Sequence, residues 1–501
     1  MSPGHEPRSQ RPSFERCALV LLTLAAVVGY VALARARFID ADEGFFAYAA
    51  KLVLQGQTPY RDFFYQQMPL LPYVYGLWFA LSETSLLVAR YFNVLLIVCQ
   101  ATLIYCILRR ELQNRLYAFA GALLFYGLSS VCVWHTVVKT HALSSTLLLL
   151  TYFLWKSIPN ASGRRQLLCA LGSGLCLGLA ASTRLMFIAT FPAFTLDALF
   201  STAHAGRRGV ILAVFAGGVA GGLLLPVTLF ALAPEAFLFD NIGYHAVRST
   251  GGLIGDLEQK REVALALIGL GGEPDVNAWQ NILLGLPMLV ALAGDIARRR
   301  FPLAFALVAL LSLANFMPTP TFPQYFSVNA PLLVCLALSG IAELSRLCPE
   351  RTRLWLRPVP LLFALATALP SVHDVRAVTS WAPGAESSIE DVERVSARID
   401  AMNPAHQPVI SNWPGFFVST QSRVFPGMEN QFAFPAAVDV GSERSRKYHL
   451  VDRDRLFFTL LHDALLVVML DRAFEDVLQQ TYGYALAEVI GKTGLYVKAR
   501  P

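Results

Sequence analysis

Charged residues are scarce in this sequence. They make up 15% of the 501 residues, whereas a soluble globular protein carries about 25%. The hydrophobic fraction is 55% and the mean hydropathy is +0.49, which leaves too little polar surface for a shell in contact with water. The composition therefore excludes a soluble enzyme, a disordered chain and a fibrous protein. It indicates a membrane protein with several spans.

Closely spaced cysteines and nucleotide-binding loops are also missing. The eight cysteines form no CxxC pair, they lie in or beside apolar runs, and none follows Cys348. We therefore expect packing residues rather than a disulfide framework or a zinc ribbon. No GxGxxG, P-loop or nucleophile elbow occurs, which argues against nucleotide binding and acyl chemistry. The net charge of +6 is too small to indicate nucleic acid.

Long apolar runs are abundant instead. The first extends from Cys17 to about Leu33 and is long enough to cross a bilayer. The residues around Leu33 also fit a signal-peptidase site, but the many later spans favour an uncleaved first span. Further runs bring the predicted total to about eleven; they lie at residues 86–108, 117–134, 142–158, 167–182, 184–200, 210–233, 279–297, 302–317, 325–346 and 353–370.

Arginine clusters predict the orientation of these spans. They fall in every second loop, and they share one side with the basic N-terminus if the segment 68–81 does not cross the membrane. That segment is short and rich in proline and aromatic residues, which favours an interfacial helix. The predicted parts are a cytoplasmic N-terminus (1–16), an all-α polytopic membrane domain (17–370) whose outer loop 35–85 carries two juxtamembrane helices, and a soluble extracytoplasmic α/β domain (371–501).

The C-terminal part carries ordinary signals of an α/β domain. A serine followed by early acids at 387–391 predicts the start of a helix. The run 463–470 predicts a buried strand, and Gly491 and Gly494 between alternating apolar residues predict a β-hairpin.

The first outer loop holds the densest group of acids. Asp40, Asp42 and Glu43 fall within four residues, at the point where the first span ends. A carboxylate at a membrane boundary beside aromatic residues is partly desolvated, which raises its pKa and makes it a better base. The alternative is that Asp40 or Asp42 only caps the following helix, because aspartate is a preferred N-cap.

This loop resembles the corresponding loop of the GT-C membrane glycosyltransferases, in the branch of the protein O-mannosyltransferases and the lipid A aminoarabinose transferase. In that family an Asp-Glu pair opens the first juxtamembrane helix, and a Gly, a Tyr and an aromatic/Gln-Pro-Leu element lead into the second. The matching residues here are Asp42-Glu43, Gly56, Tyr60 and Gln67-Met68-Pro69-Leu70-Leu71. The resemblance covers roughly residues 14–370.

The resemblance implies an activity. A hexose or pentose would pass from a polyprenyl phosphate or diphosphate to a hydroxyl of a glycan, lipid or protein on the outer face, with inversion. It implies Asp42 as the general base, with Glu43 as the second member of the catalytic pair. An inverting transfer needs one base opposite the leaving group. The departing lipid phosphate needs cations or hydrogen-bond donors rather than a strong acid.

Several polar residues at span mouths are candidates for binding the donor phosphate or sugar. They are Lys139, His141, Arg184, Tyr244, His245, Arg248, Gln324 and Tyr325. Tyr60, Tyr65 and Gln67 are candidates for positioning the acceptor or the loop. Relatives often carry Arg and Asp near position 139 and a basic residue at position 324, so this chain departs from the family at both. Snorkelling of Lys139, a solvated loop at 244–248 and an aromatic-belt Tyr325 are the open alternatives.

The sequence leaves open whether the chain binds a metal ion, and it leaves two alternative functions. Asp42, Glu43, His135 and His141 could bind a divalent ion if their loops converge. A polysaccharide polymerase or ligase would share the donor class, and a transporter or flippase would share the lipid-linked substrate. Transporters place charges near the midplane, often with inverted repeats, whereas no repeat is evident here. Lysine is scarce, whereas arginine and alanine are abundant, which favours a bacterial source. In a bacterium, we expect the chain in the cytoplasmic membrane.

Overall fold

The membrane part is built almost entirely from helices. The computed structural model describes residues 14–200, 206–247, 252–268, 270, 278–380 and 387–498. Within the first of these ranges, the α-helices are α1 (Phe14–Ala36), α2 (Glu43–Leu54), α3 (Leu70–Ala80), α4 (Leu86–Leu112), α5 (Arg115–Tyr126), α6 (Ser129–Trp134), α7 (Thr140–Trp155), α8 (Gly163–Thr183) and α9 (Phe191–Phe200). Short 3₁₀ turns at Ile158–Asn160 and Leu185–Thr190 connect some of them.

Helices continue through the second half of the membrane part. Those described there are α10 (Arg208–Gly222), α11 (Leu224–Leu232), α12 (Pro234–Leu238), α13 (Tyr244–Val247), α14 (Gly252–Leu267), α15 (Ala278–Ala297), α16 (Leu303–Asn315), α17 (Ala330–Leu347), α18 (Glu350–Trp355), α19 (Val359–Ala368) and α20 (Ser371–Thr379). A π-helical turn, Phe239–Gly243, joins α12 to α13, and a 3₁₀ segment, Pro323–Asn329, leads into α17.

The chain is a multi-pass membrane protein, as its apolar runs predict. Among the described residues, six helices are long and apolar enough to cross a bilayer, and the pair α10–α11, bent by 45°, makes up to seven. Other predicted spans form shorter apolar helices, including Arg115–Tyr126, Leu185–Phe200 and Leu303–Asn315. At 1.5 Å per residue such helices fall short of the hydrocarbon core, so the total of eleven stays a prediction.

Glycines allow two of the membrane helices to pack closely. A Cβ at Gly174 or Gly178 of α8 would collide with the backbone of α10, and one at Gly218 or Gly222 would collide with that of α8. Each helix therefore presents a Gly-x-x-x-Gly pair, which lets two backbones approach in a membrane. The C-terminal end of α8 leads directly into Arg184.

The juxtamembrane helices α2 and α3 lie between the membrane helices and the C-terminal domain. Ten of the twelve residues of α2 are buried, and Gly76 of α3 packs against the backbone of α2 at Ala50. Their side chains share a hydrophobic core with the tail, including Phe417 and Val467. α3 forms within the short aromatic segment for which the sequence predicts an interfacial helix.

The tail combines helices with a small sheet, which confirms the predicted α/β character. Its described helices are α21 (Ile389–Met402), α22 (Ala433–Val440), α23 (Ser442–Lys447), α24 (Arg453–His462) and α25 (Glu475–Gln480). The strands β1 (Ile410–Ser411), β2 (Leu466–Met469), β3 (Tyr484–Ile490) and β4 (Thr493–Lys498) have the order β1-β2-β4-β3. A capping box between Ser388 and Asp391 starts α21, as the sequence predicts.

The sheet pairing explains the predicted hairpin. β3 and β4 are antiparallel and separated by a two-residue turn at Gly491, whose φ is +56°. β2 pairs antiparallel with β4 and parallel with β1, so it is one of the two central strands of the sheet, and its residues are buried.

Candidate active site

A cavity of about 650 Å³ lies between α2, the neighbouring ends of membrane helices and the tail. Several segments that are distant in sequence contribute to it. Asp40 and Asp42 come from the first loop, Lys139 and His141 from the start of α7, Arg184 from the end of α8, and Phe432 from the tail. These segments therefore converge, a condition that the sequence analysis left open.

The ammonium group of Lys139 lies at the centre of the acidic loop. Its Nζ is 2.9 Å from Asp40 Oδ1, 3.0 Å from Asp42 Oδ2 and 2.9 Å from Gln324 Oε1. The Lys139 side chain is 4% exposed, that of Asp40 16% and that of Asp42 30%. Asp42 is thus the carboxylate of the pair that the cavity reaches most easily.

Neighbouring charges and burial shift the pKa values of Asp40 and Lys139 in opposite directions. Burial alone would raise the pKa of Asp40, but the neighbouring Lys139 outweighs it and holds that pKa below its ordinary value. Burial alone would lower the pKa of Lys139, but Asp42 and Asp40 together raise it. Both shifts favour the charged forms of Asp40 and Lys139.

The backbone of the acidic loop is held by its own side chains. The N–H of Asp40 donates to Glu43 Oε1 at 3.0 Å, and the N–H of Asp42 donates to Asp40 Oδ1 at 3.0 Å. Asp42 is the residue before α2, yet its side chain makes no capping hydrogen bond. Asp42 therefore does not serve as the helix cap that the sequence left open.

Glu43 is part of a buried ion pair with Arg90 of α4. Both side chains are fully buried; Arg90 Nε and Nη2 donate to the carboxylate at 2.8 and 2.5 Å. Glu43 also accepts a hydrogen bond from the N–H of Val138 at 3.1 Å, which ties the Lys139 loop to the acidic loop. Glu43 itself is not among the residues that line the cavity. Arg90 was not among the site residues predicted from the sequence, although an arginine within an apolar run indicates a functional residue.

The cavity lining also carries nitrogen-bearing side chains, those of Arg184, His141 and His245. The Arg184 guanidinium stacks over the Tyr325 ring at 4.5 Å, and burial lowers the pKa of Arg184. His141 Nδ1 is 2.9 Å from Ser327 Oγ, and His245 lines the cavity beside the π-helical turn. Within the described residues, Arg184 has no carboxylate partner, in contrast to Lys139.

Comparison with solved structures identifies this architecture. ArnT from Cupriavidus metallidurans, bound to undecaprenyl phosphate, superimposes with a TM-score of 0.69 at 14% identity, covering 96% of this chain and 98% of ArnT. The chain has the GT-C fold. The archaeal oligosaccharyltransferase AglB from Archaeoglobus fulgidus, in complex with an inhibitory peptide and a dolichol-phosphate, gives a TM-score of 0.53 at 13% identity, with coverages of 97% and 75%. At the level of sequence, no protein-family model and no curated protein matches the chain.

On this GT-C scaffold, most of the sequence-predicted site residues come together. The cavity lining includes Asp42, Gln67, Lys139, His141, Arg184, His245, Gln324 and Tyr325. Tyr60, Tyr65 and Tyr244 are buried in the aromatic packing of the first outer loop and are not part of that lining. Arg248 lies outside the described residues.

Other lining residues were not predicted from the sequence. They include Gln66, Asn241, Met317, Phe322 and Phe432. No local motif distinguishes these residues, because their role depends on which loops fold over α2. Phe432 in particular belongs to the tail, more than 350 residues from Asp42 in the chain.

The residues that could hold a metal ion do not assemble as a ligand set. His135 Nε2 lies 3.2 Å from the carbonyl oxygen of Ser327, and burial lowers its pKa to about 4. Glu43 is engaged by Arg90, and Lys139 lies between the two aspartates. Among the described residues, no group of three or more His, Cys, Asp or Glu side chains could hold a metal.

Proposed function

We propose that the chain is an integral membrane glycosyltransferase that moves a sugar from a polyprenyl-phosphate-linked donor to an acceptor hydroxyl, with inversion. The observation that carries the proposal is the partly exposed carboxylate of Asp42, which shares a cavity with Arg184 on a GT-C fold. Asp42 would supply the base and Arg184 the cation for the leaving phosphate. These are the two functions that an inverting transfer from a phosphate requires.

Asp42 suits the role of general base better than its neighbours do. Asp40 Oδ1 already accepts from Lys139 and from the N–H of Asp42. Glu43 is fully buried against Arg90. Asp42 would remove the acceptor hydroxyl proton while that oxygen attacks the anomeric carbon. The bond between this carbon and the phosphate oxygen breaks, and the lipid phosphate leaves with the electron pair.

Arg184 is our candidate for stabilising that phosphate. Its guanidinium can donate two parallel hydrogen bonds to phosphate oxygens. Tyr325, which stacks on it, and His245 add hydrogen-bonding groups to the same cavity. We assign Glu43, Tyr60, Tyr65 and Tyr244 to positioning the loop, since none of them lines the cavity.

The apolar side of the cavity suits a prenyl chain. Leu185, Ile242 and Met317 line it, and they are 40%, 60% and 72% exposed. Exposed apolar residues next to a phosphate-binding arginine match a donor with a charged head and a long hydrocarbon tail. Undecaprenyl phosphate in ArnT and dolichol-phosphate in AglB are ligands of this chemistry. The acceptor, a glycan, a lipid or a protein, would enter from the extracytoplasmic face of the bacterial inner membrane.

Transfer in reconstituted vesicles tests this proposal. Asp42→Asn should lower the rate of sugar transfer from defined polyprenyl-phosphate sugars by about a hundredfold or more, because one base is lost. The matched control is Asp62→Asn, since Asp62 pairs with Arg61 outside the cavity. Near-wild-type transfer by a folded Asp42→Asn protein would contradict the assignment of the base. Movement of the intact donor from one leaflet of the vesicle bilayer to the other, without sugar transfer, would instead favour a flippase.

A further inference from the structure

We infer that the ammonium of Lys139 is a built-in cation of the acidic loop that takes the place of a divalent metal ion. One consequence rests on the proposed function, namely that sugar transfer proceeds without an added metal ion. In the structure, the ammonium of Lys139 occupies the position among the carboxylates where a metal ion would bind.

The contacts of Lys139 use all its hydrogen-bonding capacity. A primary ammonium has three N–H donors. Three oxygens, one each from Asp40, Asp42 and Gln324, lie within 3.0 Å of its Nζ. The face of the Trp134 ring lies 5.2 Å away and adds a cation–π contact. The ammonium is therefore fully coordinated inside the cluster.

The same oxygens are the kind of donors that a hard divalent cation binds. Carboxylates and amide carbonyls are the ligands of Mg²⁺, Mn²⁺ and Ca²⁺ in proteins. A divalent ion among Asp40, Asp42 and Gln324 would stand in contact with the charge of Lys139 and would be repelled by it. Since one position cannot hold both cations, the bound lysine excludes the metal.

Lys139 is also held in place. Its side chain is 4% exposed, so it cannot turn into solvent without breaking the cluster. The preceding residue, Val138, donates its N–H to Glu43, which is fixed by Arg90. A buried ion pair thus fastens the lysine loop against the acidic loop, and Glu43 acts here as a positioning residue.

A lysine in this position has a different chemical effect from a metal. It carries one charge instead of two, so it offsets the repulsion between the two carboxylates without holding either as strongly. We expect Asp42 to keep more of its basicity beside an ammonium than beside a divalent ion. The substitution of lysine for a metal is thus compatible with a base at Asp42.

Metal binding by the full-length protein tests the inference independently of catalysis. In nanodiscs, titration with Mn²⁺ followed by electron paramagnetic resonance should show no stoichiometric binding to the wild type. Lys139→Met removes the charge and keeps an unbranched side chain one atom shorter, and it should strengthen Mn²⁺ binding by about tenfold or more. Adding Asp42→Asn to this variant should abolish the gain. Lys447→Met is the matched control, because Lys447 is exposed and pairs with a single carboxylate, Glu235; it should bind like the wild type.

Three results would overturn the inference. One is a wild-type protein that binds one Mn²⁺ per chain and loses it in Asp42→Asn. Another is a folded Lys139→Met protein that gains no binding, because the oxygens would then not form a cation site. The third is wild-type transfer that a chelator abolishes and Mn²⁺ restores. The variant Lys139→Arg keeps the positive charge and should bind no Mn²⁺. It tests the inference if the Lys139→Met protein does not fold. An absence of transfer by the wild type would contradict the proposed function without affecting the binding result.

Discussion

Neighbouring acids in one loop have different roles because their partners differ. Glu43 is neutralised by Arg90 in the interior, Asp40 is shared between Lys139 and a backbone N–H, and Asp42 is the most exposed of the three. Their spacing in the sequence identifies an acidic cluster, but it does not distinguish a base from a positioning residue. That distinction depends on Arg90 and Lys139, which reach the loop from other helices and loops.

The ion cluster predicts a broad pH range of stability. Asp40 has a lowered pKa, so its contribution is present above the ordinary carboxyl range and is lost as pH falls through the lowered value. Lys139 has a raised pKa, so its contribution is present below its ordinary pKa and is lost only as pH rises through the raised value. The stabilisation that this pair contributes should therefore form a plateau from about pH 5 to about pH 10, measured as the difference in thermal unfolding between the wild type and Asp40→Asn.

Asp40→Asn isolates the acid side of this plateau. The variant should be less stable than the wild type at neutral pH, and the difference should shrink as the pH falls below about 4, where the wild type loses the same charge. Glu83→Gln, at an exposed site, serves as the control. A stability difference that stays constant over the whole acid range would contradict the role of Asp40 in the pair.

At the scale of elements, the helices follow from composition and their packing follows from small residues. Apolar runs predict where helices form, and the capping box at Ser388 predicts where α21 begins. The contact between α8 and α10 depends on four glycines whose spacing is visible in the sequence but whose partners are not. This contact determines the position of Arg184, since that residue ends α8.

Two glycine substitutions test this helix contact. Gly178→Ala should destabilise the membrane domain by about 1–3 kcal/mol, because the added Cβ would collide with the backbone of α10. Gly217→Ala, on α10, has open space around the new methyl group and should leave stability almost unchanged. The measurement is thermal unfolding in detergent. Equal effects of the two substitutions would show that the close approach does not contribute to stability.

At the scale of the whole molecule, the tail completes the site. Trp413 Nε1 and Gln431 Nε2 both donate to the carbonyl oxygen of Ala41, at 2.8 and 2.9 Å, between the two aspartates. Lys51 of α2 donates to two carbonyl oxygens of the tail, those of Phe417 and Thr420. The tail is therefore fastened to the helix that follows the acidic loop, and it holds the loop itself.

Loss of these two hydrogen bonds should slow transfer. The double variant Trp413→Phe and Gln431→Leu keeps apolar bulk but frees the Ala41 carbonyl. We expect the kcat to fall by about tenfold or more, with the donor KM changed little, because the base is displaced while Arg184 keeps its surroundings. Trp355→Phe, at an 84% exposed position, is the control. An unchanged kcat in a folded double variant would show that the tail does not position the base.

The sequence by itself determined the membrane character, the helical class, the α/β tail and the acidic loop, because each depends on local composition or short spacing. Only the tertiary structure shows that Lys139 bridges Asp40 and Asp42, that Arg90 pairs with Glu43 and that Phe432 lines the cavity. These contacts join residues that are tens to hundreds of positions apart, and such pairings leave no periodicity or motif in a single sequence. The physical reason is that charges buried at a membrane boundary must find partners, and only the folded chain shows which partners are in reach.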